Sequence, residues 1–225
     1  MSGTLFLVAT PIGNLGDITH RAVETLKAVD FIACEDTRVT GKLLAHLGFK
    51  RPLIRCDDHT EKRAAIHICK RIADGESGAL VSDAGTPNVS DPGYAVVREA
   101  MAGDLPVVPI PGASAVTAAL SASGLPTHAF RFEGYLPLRK GPRLKRLDAI
   151  SEDDATQIFF VPPHKLHIWL ADVLEVFGNR SACLAREITK KFEEFQRGRL
   201  SEIQTEYRDK KPRGEIVLLV AGKGR

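Results

Sequence analysis

The stretch ALVSDAGTPNVSDPG, from Ala79 to Gly93, joins a short apolar run to a loop that holds two aspartates, two glycines and two prolines. Runs like Ala79 to Ser82 recur through the first 110 residues and alternate with amphipathic stretches, a pattern typical of βαβ units and a mainly parallel sheet. In open parallel sheets ligands bind outside the carboxyl ends of the strands, so we expect the following loops to carry the site. The other four predicted strands are Leu5 to Ala9, Phe31 to Cys34, Pro52 to Arg55 and Val107 to Ile110.

Helices are predicted between these strands, and a second domain is predicted after Pro111. Thr19 to Val29 and Glu61 to Ala73 place apolar residues on one helical face, so both faces of the sheet should be covered. A small-residue helix over Ala113 to Ser123 precedes the basic cluster RKGPRLKR at 139–146. We predict an α/β protein of two α/β domains, residues 1–112 with a mainly parallel sheet and residues 113–225 with a mixed sheet. The second domain has predicted strands at 157–161, 181–186, 193–197 and 215–221, and predicted helices at 164–177 and 201–208.

Composition excludes several classes of protein. The chain has 225 residues, of which 44% are hydrophobic and 26% charged, as in soluble globular proteins rather than disordered, collagenous or coiled-coil ones. It has no run of eighteen apolar residues and no basic segment before its first apolar run, so we expect neither a signal peptide nor a membrane anchor. The four cysteines form no C-x-x-C pair, which indicates reduced core thiols in a cytoplasmic protein. The histidine spacing predicts no metal site, and Trp169 is expected in a core.

Three loops are candidates for ligand binding. The glycines of the first, TPIGNLGD at 10–17, permit a tight strand-to-helix turn, which explains them equally well without a ligand. In the second, Asp83 can accept hydrogen bonds from hydroxyl or amine groups, whereas Asp91 is favoured as the N-terminal cap of a helix that begins near Tyr94. In the third, PIPGASAV at 109–116, either the backbone N–H groups of Gly112 to Ala115 face a ligand or the small residues allow close helix packing. Neither the dinucleotide motif G-x-G-x-x-G nor the P-loop motif is present.

Eight motifs are spread over nearly the whole chain: TPIGNLGDIT (10–19), EDTR (35–38), VSDAGTP (81–87) with SDPG (90–93), PGASA (111–115), SGLP (123–126), FEGYLP (132–137), AREITK (185–190) and RGEIVL (213–218). Together they resemble the tetrapyrrole methylase superfamily, whose members bind S-adenosylmethionine in a cleft between two α/β domains. Within it they are similar to the branch that 2′-O-methylates a cytidine in the decoding centre of 16S ribosomal RNA. The resemblance implies S-adenosyl-L-methionine as the cofactor, 16S rRNA or the assembled small ribosomal subunit as the substrate, and a homodimer without membrane attachment.

The resemblance and the chemistry of methyl transfer suggest roles for individual residues. Methyl transfer from a sulfonium depends on in-line positioning, and a base or cation beside the ribose hydroxyl assists it. The EDTR segment is also explained as a capped helix start with a local ion pair, and a charge run is more often a solvated face. The catalytic candidates are Glu35, Asp36, Arg38 and Glu187. The cofactor-binding candidates are Pro11, Asp83, Gly85, Thr86, Gly112, Ser114, Ala115 and Ala185. The RNA-binding candidates are Arg139, Lys140, Arg143, Lys145, Arg146, Arg186 and Lys190.

The chain departs from this branch in two places. It reads FVPPHK at 160–165 where the branch reads Tyr-Glu-Ser-Xaa-His-Arg, so Val161 replaces an acidic residue. The sequence ends at Arg225, where many relatives continue into a basic helical tail. Two other functions remain open: methylation of a tetrapyrrole or a modified protein residue, and a non-catalytic cofactor-sensing RNA-binding module.

The formal net charge of +3 is unevenly distributed along the sequence. Residues 1–138 carry a net charge of −2, whereas residues 139–225 carry +5. A near-neutral domain that binds the cofactor and a basic domain that meets a phosphate backbone are consistent with this asymmetry.

Overall fold

The N-terminal part of the chain forms an open parallel sheet, as its alternating apolar runs predict. The computed structural model describes residues 2–224. The strands of this sheet are β1 (Leu5–Val8), β2 (Phe31–Cys34), β3 (Leu53–Arg55), β4 (Gly78–Val81) and β5 (Val107–Ile110). They are all parallel and lie in the order β3-β2-β4-β1-β5, so their carboxyl ends meet at one edge.

Helices cover both faces of this sheet. They are α1 (His20–Ala28), α2 (Thr37–His46), α3 (Glu61–Ala73) and α4 (Tyr94–Ala102). In β2, Phe31 and Ala33 pack in one core with residues of α3 and α4, whereas Ile32 and Cys34 pack in another with residues of α1 and α2. Because every β2 side chain is buried, its uninterrupted apolar run is what a central parallel strand requires.

The N–H groups at the start of α4 are bonded by a different residue from the one that the sequence predicts. The N-cap of α4 is Gly93, whose φ of 141° favours glycine, and no side chain of the cap residue bonds the helix. Instead Glu61 Oε1, at the beginning of α3, accepts the N–H groups of Gly93 and Ala95 at 2.7 and 2.8 Å. The prediction that Asp91 caps α4 is therefore wrong, because a glutamate distant in sequence takes these donors.

The chain divides into two compact units between Ser114 and Ala115, and the second has a mixed sheet. Its strand order is β6-β7-β10-β8-β9, in which β6 and β7 are parallel and the other pairs antiparallel. These strands are β6 (Phe130–Tyr135), β7 (Thr156–Val161), β8 (Ser181–Arg186), β9 (Glu194–Arg199) and β10 (Ile216–Val220). The helices are α5 (Ala115–Ser123), α6 (Lys140–Ile150), α7 (Leu166–Phe177) and α8 (Leu200–Tyr207). The predicted α/β class, with a parallel and a mixed sheet, is confirmed.

The second unit contains two elements that the sequence patterns did not indicate. Strand β6 lies in the glycine- and proline-rich stretch, at an edge of the sheet, with a register shift between Phe132 and Gly134. Helix α6 carries the basic cluster. Trp169 is fully buried in the core of this unit, as predicted.

The four cysteines are buried free thiols, in agreement with the sequence-based expectation. Burial raises the pKa of Cys56 to about 12 and that of Cys69 to about 11. In the described part of the chain, every helix is too short or too polar to cross a membrane.

Candidate active site

An acidic cavity of about 610 Å³ lies at the carboxyl ends of β2, β3 and β4. Its position agrees with the general location of ligand sites in open parallel sheets. Five carboxylates and two guanidinium groups line it, so the cavity offers hydrogen-bond acceptors in excess of fixed cations. The lining residues are Glu35, Asp36, Thr37, Arg38, Arg55, Asp57, Asp58, His59 and Asp83.

A second, less polar cavity of about 320 Å³ lies beside the end of β1. Asp83 lines both cavities, which makes its carboxylate the point at which they meet. The volume falls at the lower end of the range for small-molecule sites, about 300–1,000 Å³. Its lining residues are Thr10, Pro11, Leu15, Val39, Thr40, Lys42, Leu43, Ser82 and Asp83.

The first and second predicted loops are joined through their backbones. Thr10 and Gly85 exchange two main-chain hydrogen bonds, of 2.9 and 3.1 Å. Thr10 Oγ1 also donates to the carbonyl oxygen of Ser82 at 3.2 Å. Gly85 has a φ of 80°, and a Cβ there would lie 3.2 Å from Cγ2 of Ile12. A side chain at Gly85 would therefore disturb the connection that fixes the position of the loop beside Asp83.

The third predicted loop packs against the other two. A Cβ at Gly112 would lie 3.0 Å from Cβ of Ala9, so the close approach to the end of β1 requires glycine. Thr86 Oγ1 donates to the carbonyl oxygen of Ala113 at 3.4 Å. The first unit thus brings together five of the predicted cofactor-binding residues: Pro11, Asp83, Gly85, Thr86 and Gly112. Ser114 ends this unit, while Ala115 begins α5 and the buried Ala185 lies in β8, both in the second unit.

Asp36 has both features that the sequence suggests, since it caps the start of α2 and forms an ion pair with Arg38. Its Oδ1 accepts the N–H of Arg38 at 2.8 Å at the start of α2, and its carboxylate pairs with the Arg38 guanidinium at 2.5–3.1 Å. This guanidinium and the backbone N–H hold the pKa of Asp36 well below its usual range. Asp36 is therefore a poor proton acceptor, whereas the Arg38 side chain, 84% exposed, remains accessible to a phosphate.

Unlike Asp36, Glu35 and Asp83 have pKa values above the usual range of their carboxyl groups. Burial raises the pKa of Glu35 above its usual range, and the charge of Asp83 and of the other nearby aspartates raises it further. Burial also raises the pKa of Asp83, although Asp83 Oδ1 accepts the N–H of Asp36 at 3.1 Å. A desolvated carboxylate beside other carboxylates has the properties of a general base, so Glu35 and Asp83 are both candidates for this role in the cavity.

The AREITK segment carries a compact ion-pair network in the second unit. Glu187 Oε1 accepts Lys190 Nζ at 2.9 Å and the N–H of Glu215 at 3.0 Å, and Lys190 Nζ also contacts Glu215 Oε2 at 2.8 Å. Lys190 and the Glu215 N–H hold the pKa of Glu187 below its usual range. Arg186 pairs with Glu194 at 3.0 Å. Glu187 is thus an ionised carboxylate that positions its loop, and its geometry does not favour a role as proton acceptor.

Arg143 does not fit the predicted RNA-binding role. Its side chain is 3% exposed and pairs with Asp172, with Nη2 and Oδ2 2.5 Å apart. Its Nη1 donates to the carbonyl oxygens of Pro137 and Leu138 at 3.0 and 2.7 Å. Arg143 is therefore a structural residue of α6, and we withdraw it from the RNA-binding candidates.

The other basic residues of α6 differ in their availability. Arg146 pairs with Glu133 at 2.6 Å, and Lys140 is 63% exposed with its Nζ 3.8 Å from Asp172. Arg139 and Lys145 are exposed. Arg139 and Lys145 thus present their charge to solvent, and the exposed Lys140 shares its charge with Asp172 and Glu175, each 3.8 Å from its Nζ.

Four residues of the acidic cavity were not singled out from the sequence: Arg55, Asp57, Asp58 and His59. They directly follow β3, and the sequence RCDDH at 55–59 after a predicted strand is the signal that indicates them. Asp57 accepts the N–H of Thr60 at 2.8 Å and pairs with Arg55 at 2.6 Å, which keeps this loop folded beside α3. Within residues 2–224, no group of three His, Cys, Asp or Glu side chains is arranged to hold a metal ion.

Comparison with known proteins identifies the family. Residues 4–204 match the model of the tetrapyrrole (corrin/porphyrin) methylases. The chain is 47% identical to ribosomal RNA small subunit methyltransferase I of Pseudomonas aeruginosa, over 98% of this chain and 79% of that protein. It is 50% identical to the protein of the same name from Mesorhizobium japonicum, over 96% of this chain and 74% of the relative. The chain belongs to the tetrapyrrole methylase family, in its ribosomal RNA small subunit methyltransferase I branch.

Solved structures of tetrapyrrole methylase-fold proteins support the same fold. Diphthine synthase aligns with a TM-score of 0.74 and 18% identity, covering 98% of this chain and 90% of that chain. The methyltransferase CobJ aligns with a TM-score of 0.73 and 21% identity, covering 99% of this chain and 95% of that chain. At this level of identity the likeness establishes the methylase fold and leaves the substrate to be argued from the site.

Proposed function

We propose that this protein is an S-adenosylmethionine-dependent methyltransferase that 2′-O-methylates a cytidine ribose in the decoding centre of 16S rRNA. The observation that carries the proposal is the identity of 46–50% to proteins named ribosomal RNA small subunit methyltransferase I, over 96% or more of this chain. The proposal includes a cytoplasmic homodimer; light scattering of the purified protein tests the oligomeric state, and cell fractionation tests the location.

The residues beside the smaller cavity fit S-adenosylmethionine. Glycines at positions 85 and 112 keep the backbone close to its neighbours, and Asp83 presents a partly buried carboxylate to the same space. We propose that this group, with loop backbone atoms, binds the hydroxyl and amine groups of the cofactor. When bound, the cofactor supplies an electrophilic methyl group on a sulfonium. The residues of the first unit that we propose to hold it are Pro11, Asp83, Gly85, Thr86, Gly112 and Ser114, while Ala115 and Ala185 stay predictions from the sequence.

The acidic cavity supports the activation of a ribose hydroxyl. Glu35 has a raised pKa, so its carboxylate is matched to accept the proton that the 2′-hydroxyl loses. Arg38 is highly exposed, and we propose that its guanidinium binds an adjacent phosphate of the RNA. Asp36 holds this guanidinium in place through its ion pair.

The test uses small ribosomal subunits that lack the modification, the purified protein and S-adenosylmethionine tritiated in its methyl group. Alkaline hydrolysis cleaves RNA through the 2′-hydroxyl, so a 2′-O-methylated nucleotide is recovered in an alkali-stable dinucleotide. We expect the label in such a dinucleotide, with cytidine as its 5′ member. Free 16S rRNA, assayed in parallel, distinguishes naked RNA from the assembled subunit as substrate.

Other outcomes exclude the proposal. Label in mononucleotides would indicate base methylation, and label in protein or in an added tetrapyrrole would assign a different substrate class. Cofactor binding without transfer to RNA would favour a cofactor-sensing RNA-binding module.

A further inference from the structure

One end of the second sheet collects three loops that are rich in basic residues. Strands β7 and β8 end where β10 begins, because Ile216 pairs with both Val161 and Arg186. We call this region the basic end and define it by loops 162–165, 187–193 and 208–215. A contact of 3.0 Å between His167 Nε2 and the carbonyl oxygen of Lys210 joins the beginning of α7 to the third loop.

Cations outnumber available carboxylates at the basic end. The carboxylates of Glu187 and Glu215 are occupied by Lys190, and Glu193 Oε2 accepts the N–H of Thr189 at 2.6 Å. The exposed cationic side chains of these loops are Lys191, Arg208, Lys211 and Arg213, together with Lys210, whose Nζ is paired with Glu206. Two acids, Glu193 and Asp209, are also exposed in the same loops, but the exposed cations outnumber them, so a polyanion that approaches this end would meet a net attractive potential.

Phe192 projects from the same end with 66% of its surface exposed. Lys191 Nζ lies 5.7 Å from the centroid of its ring. Its loop is held in place, because the Glu193 N–H donates to the Lys190 carbonyl oxygen at 3.1 Å and Glu187 is bonded at two points. An aromatic ring that a fixed loop holds in water, beside several cations, is the combination with which proteins stack unpaired bases of single-stranded RNA.

We infer that Phe192 stacks on an unpaired base of the RNA substrate, while Lys191, Lys211 and Arg213 contact the neighbouring phosphates. The inference rests on the proposed function, because it assigns an RNA-positioning surface to a proposed RNA methyltransferase. A phosphate backbone complements the charge of the basic end, and a base complements the apolar face of the ring. No sequence preference is required, since every base offers a π-face.

The experiment measures binding of a single-stranded RNA oligonucleotide that contains 2-aminopurine, whose fluorescence falls when it stacks. We expect Phe192→Ala to weaken binding about tenfold and to abolish most of the quenching, whereas Phe192→Trp stays within about threefold of wild type. The salt dependence of binding is unchanged in both variants, because neither removes a charge. Lys191→Gln combined with Lys211→Gln and Arg213→Gln lowers the salt slope by about 2, at about 0.7 per phosphate contact.

Phe130→Ala is the matched control. Phe130 is also an exposed phenylalanine, at 46%, but it begins β6 and pairs with Thr156, at the opposite end of the same sheet. We expect this variant to bind and quench like wild type. Cofactor affinity and melting temperature, measured for every variant, establish that the fold is retained.

Three results would overturn the inference: wild-type binding by Phe192→Ala, an equal loss in Phe130→Ala, or a change of oligomeric state in Phe192→Ala with unchanged RNA affinity. The last result would show that the ring covers another protein surface. Failure of the proposed function can be recognised separately, because the fluorescence assay measures oligonucleotide binding and does not depend on methyl transfer. If the wild-type protein methylates 16S rRNA and Phe192→Ala binds the oligonucleotide as tightly as wild type, this inference alone is refuted.

Discussion

The main-chain N–H of Asp36 donates a hydrogen bond to Oδ1 of Asp83, and 3.1 Å separates the two atoms. This bond joins the end of β2 to the end of β4, so Asp83 fixes the start of α2 as well as facing both cavities. A change at Asp83 therefore affects the site in two ways, by loss of the bond that holds the start of α2 and by loss of a carboxylate that faces the cavities. Different substitutions separate these effects.

Asp83→Ala is expected to weaken S-adenosylmethionine binding about tenfold or more, because hydrogen bonds to a charged group contribute about 1.5–3 kcal/mol. Asp83→Asn keeps an acceptor for the Asp36 N–H and should show a smaller loss. Isothermal titration calorimetry measures the affinities, with Asp58→Ala as the control at the exposed edge of the acidic cavity. Unchanged affinity in Asp83→Ala would remove this residue from the cofactor site.

Glu35→Gln is expected to stabilise the protein while it lowers activity. The pKa of Glu35 is raised on folding, so the folded protein holds a proton that the unfolded chain has released, and the free energy of unfolding falls as pH rises through this window. Replacing the carboxylate should raise Tm at pH 8, where the wild-type carboxylate is charged, and have no such effect below about pH 4, where it is protonated in both states. Loss of a general base should lower kcat about 10²–10⁴-fold. Thermal melts at both pH values and tritium transfer measure these effects, and full activity would rule out Glu35 as the base.

Arg143→Met is expected to cost about 3–5 kcal/mol of unfolding free energy, because it leaves the buried Asp172 carboxylate without its partner. Lys140→Met is the control, since Lys140 lies 3.8 Å from Asp172 and is mostly exposed; its effect should stay below about 1 kcal/mol. Urea denaturation measures both. A second change, Asp172→Leu, should restore part of the stability of Arg143→Met. An Arg143 variant of normal stability would contradict the structural role.

Gly214→Ala is expected to disturb the loop that carries Lys190. A Cβ at Gly214 would lie 2.1 Å from Glu187 Oε1, so the carboxylate must leave Lys190 and the Glu215 N–H. We expect a loss of about 2 kcal/mol in unfolding free energy and weaker RNA methylation.

Gly124→Ala separates the two causes of the loss in Gly214→Ala, which are backbone strain at a positive φ and displacement of the Glu187 carboxylate. Gly124 has a similar φ of 77°, but an added Cβ would meet no atom of the described residues within 4 Å. Its substitution should cost only the backbone strain, about 1 kcal/mol. Equal losses in the two alanine variants would show that the Glu187 network contributes nothing.

Neutralising the exposed cations of α6 is expected to weaken RNA binding. The triple change of Arg139, Lys140 and Lys145 to Gln should lower the salt slope by up to about 2, at about 0.7 per single-strand phosphate contact. Arg146→Gln should leave the slope unchanged, because Glu133 already neutralises Arg146. Filter binding across a salt series measures the slopes. An unchanged slope in the triple variant would make this helix an ordinary solvated face.

The parallel sheet was predictable because its inner strands β2 and β4 are buried on both faces. β2 is buried throughout, so its apolar run carries the signal without any reference to distant residues. β6 escaped prediction because an edge strand with Gly134 at a register shift lacks such a run. α6 was missed because it contains Pro142, which its first turn tolerates since the N–H there has no helical partner.

The candidate site was predictable only in part. The loops after β1, β4 and β5 carry unusual glycines and prolines, and these local signals selected Asp83, Gly85 and Gly112, which lie at the carboxyl ends of neighbouring strands. Arg143 could not be distinguished from its exposed neighbours, because its burial depends on Asp172, 29 positions away. Asp57 has only local partners, Arg55 and Thr60, and it was not selected because the loop after β3 carries none of the glycines and prolines that drew attention to the other loops.

The contact of Glu61 with Gly93 and Ala95 bears on how this protein can be redesigned. The side chain that secures the far end of the loop from Asp83 to Gly93 belongs to α3, outside the loop itself. Its near end is secured by Thr10, also from outside. A segment clamped by external residues at both ends can exchange exposed interior residues without losing attachment, so Thr86 and Val89 are suitable for libraries that seek altered ligand preference. Asn88 and Ser90, with φ of 68° and 62°, admit far fewer replacements.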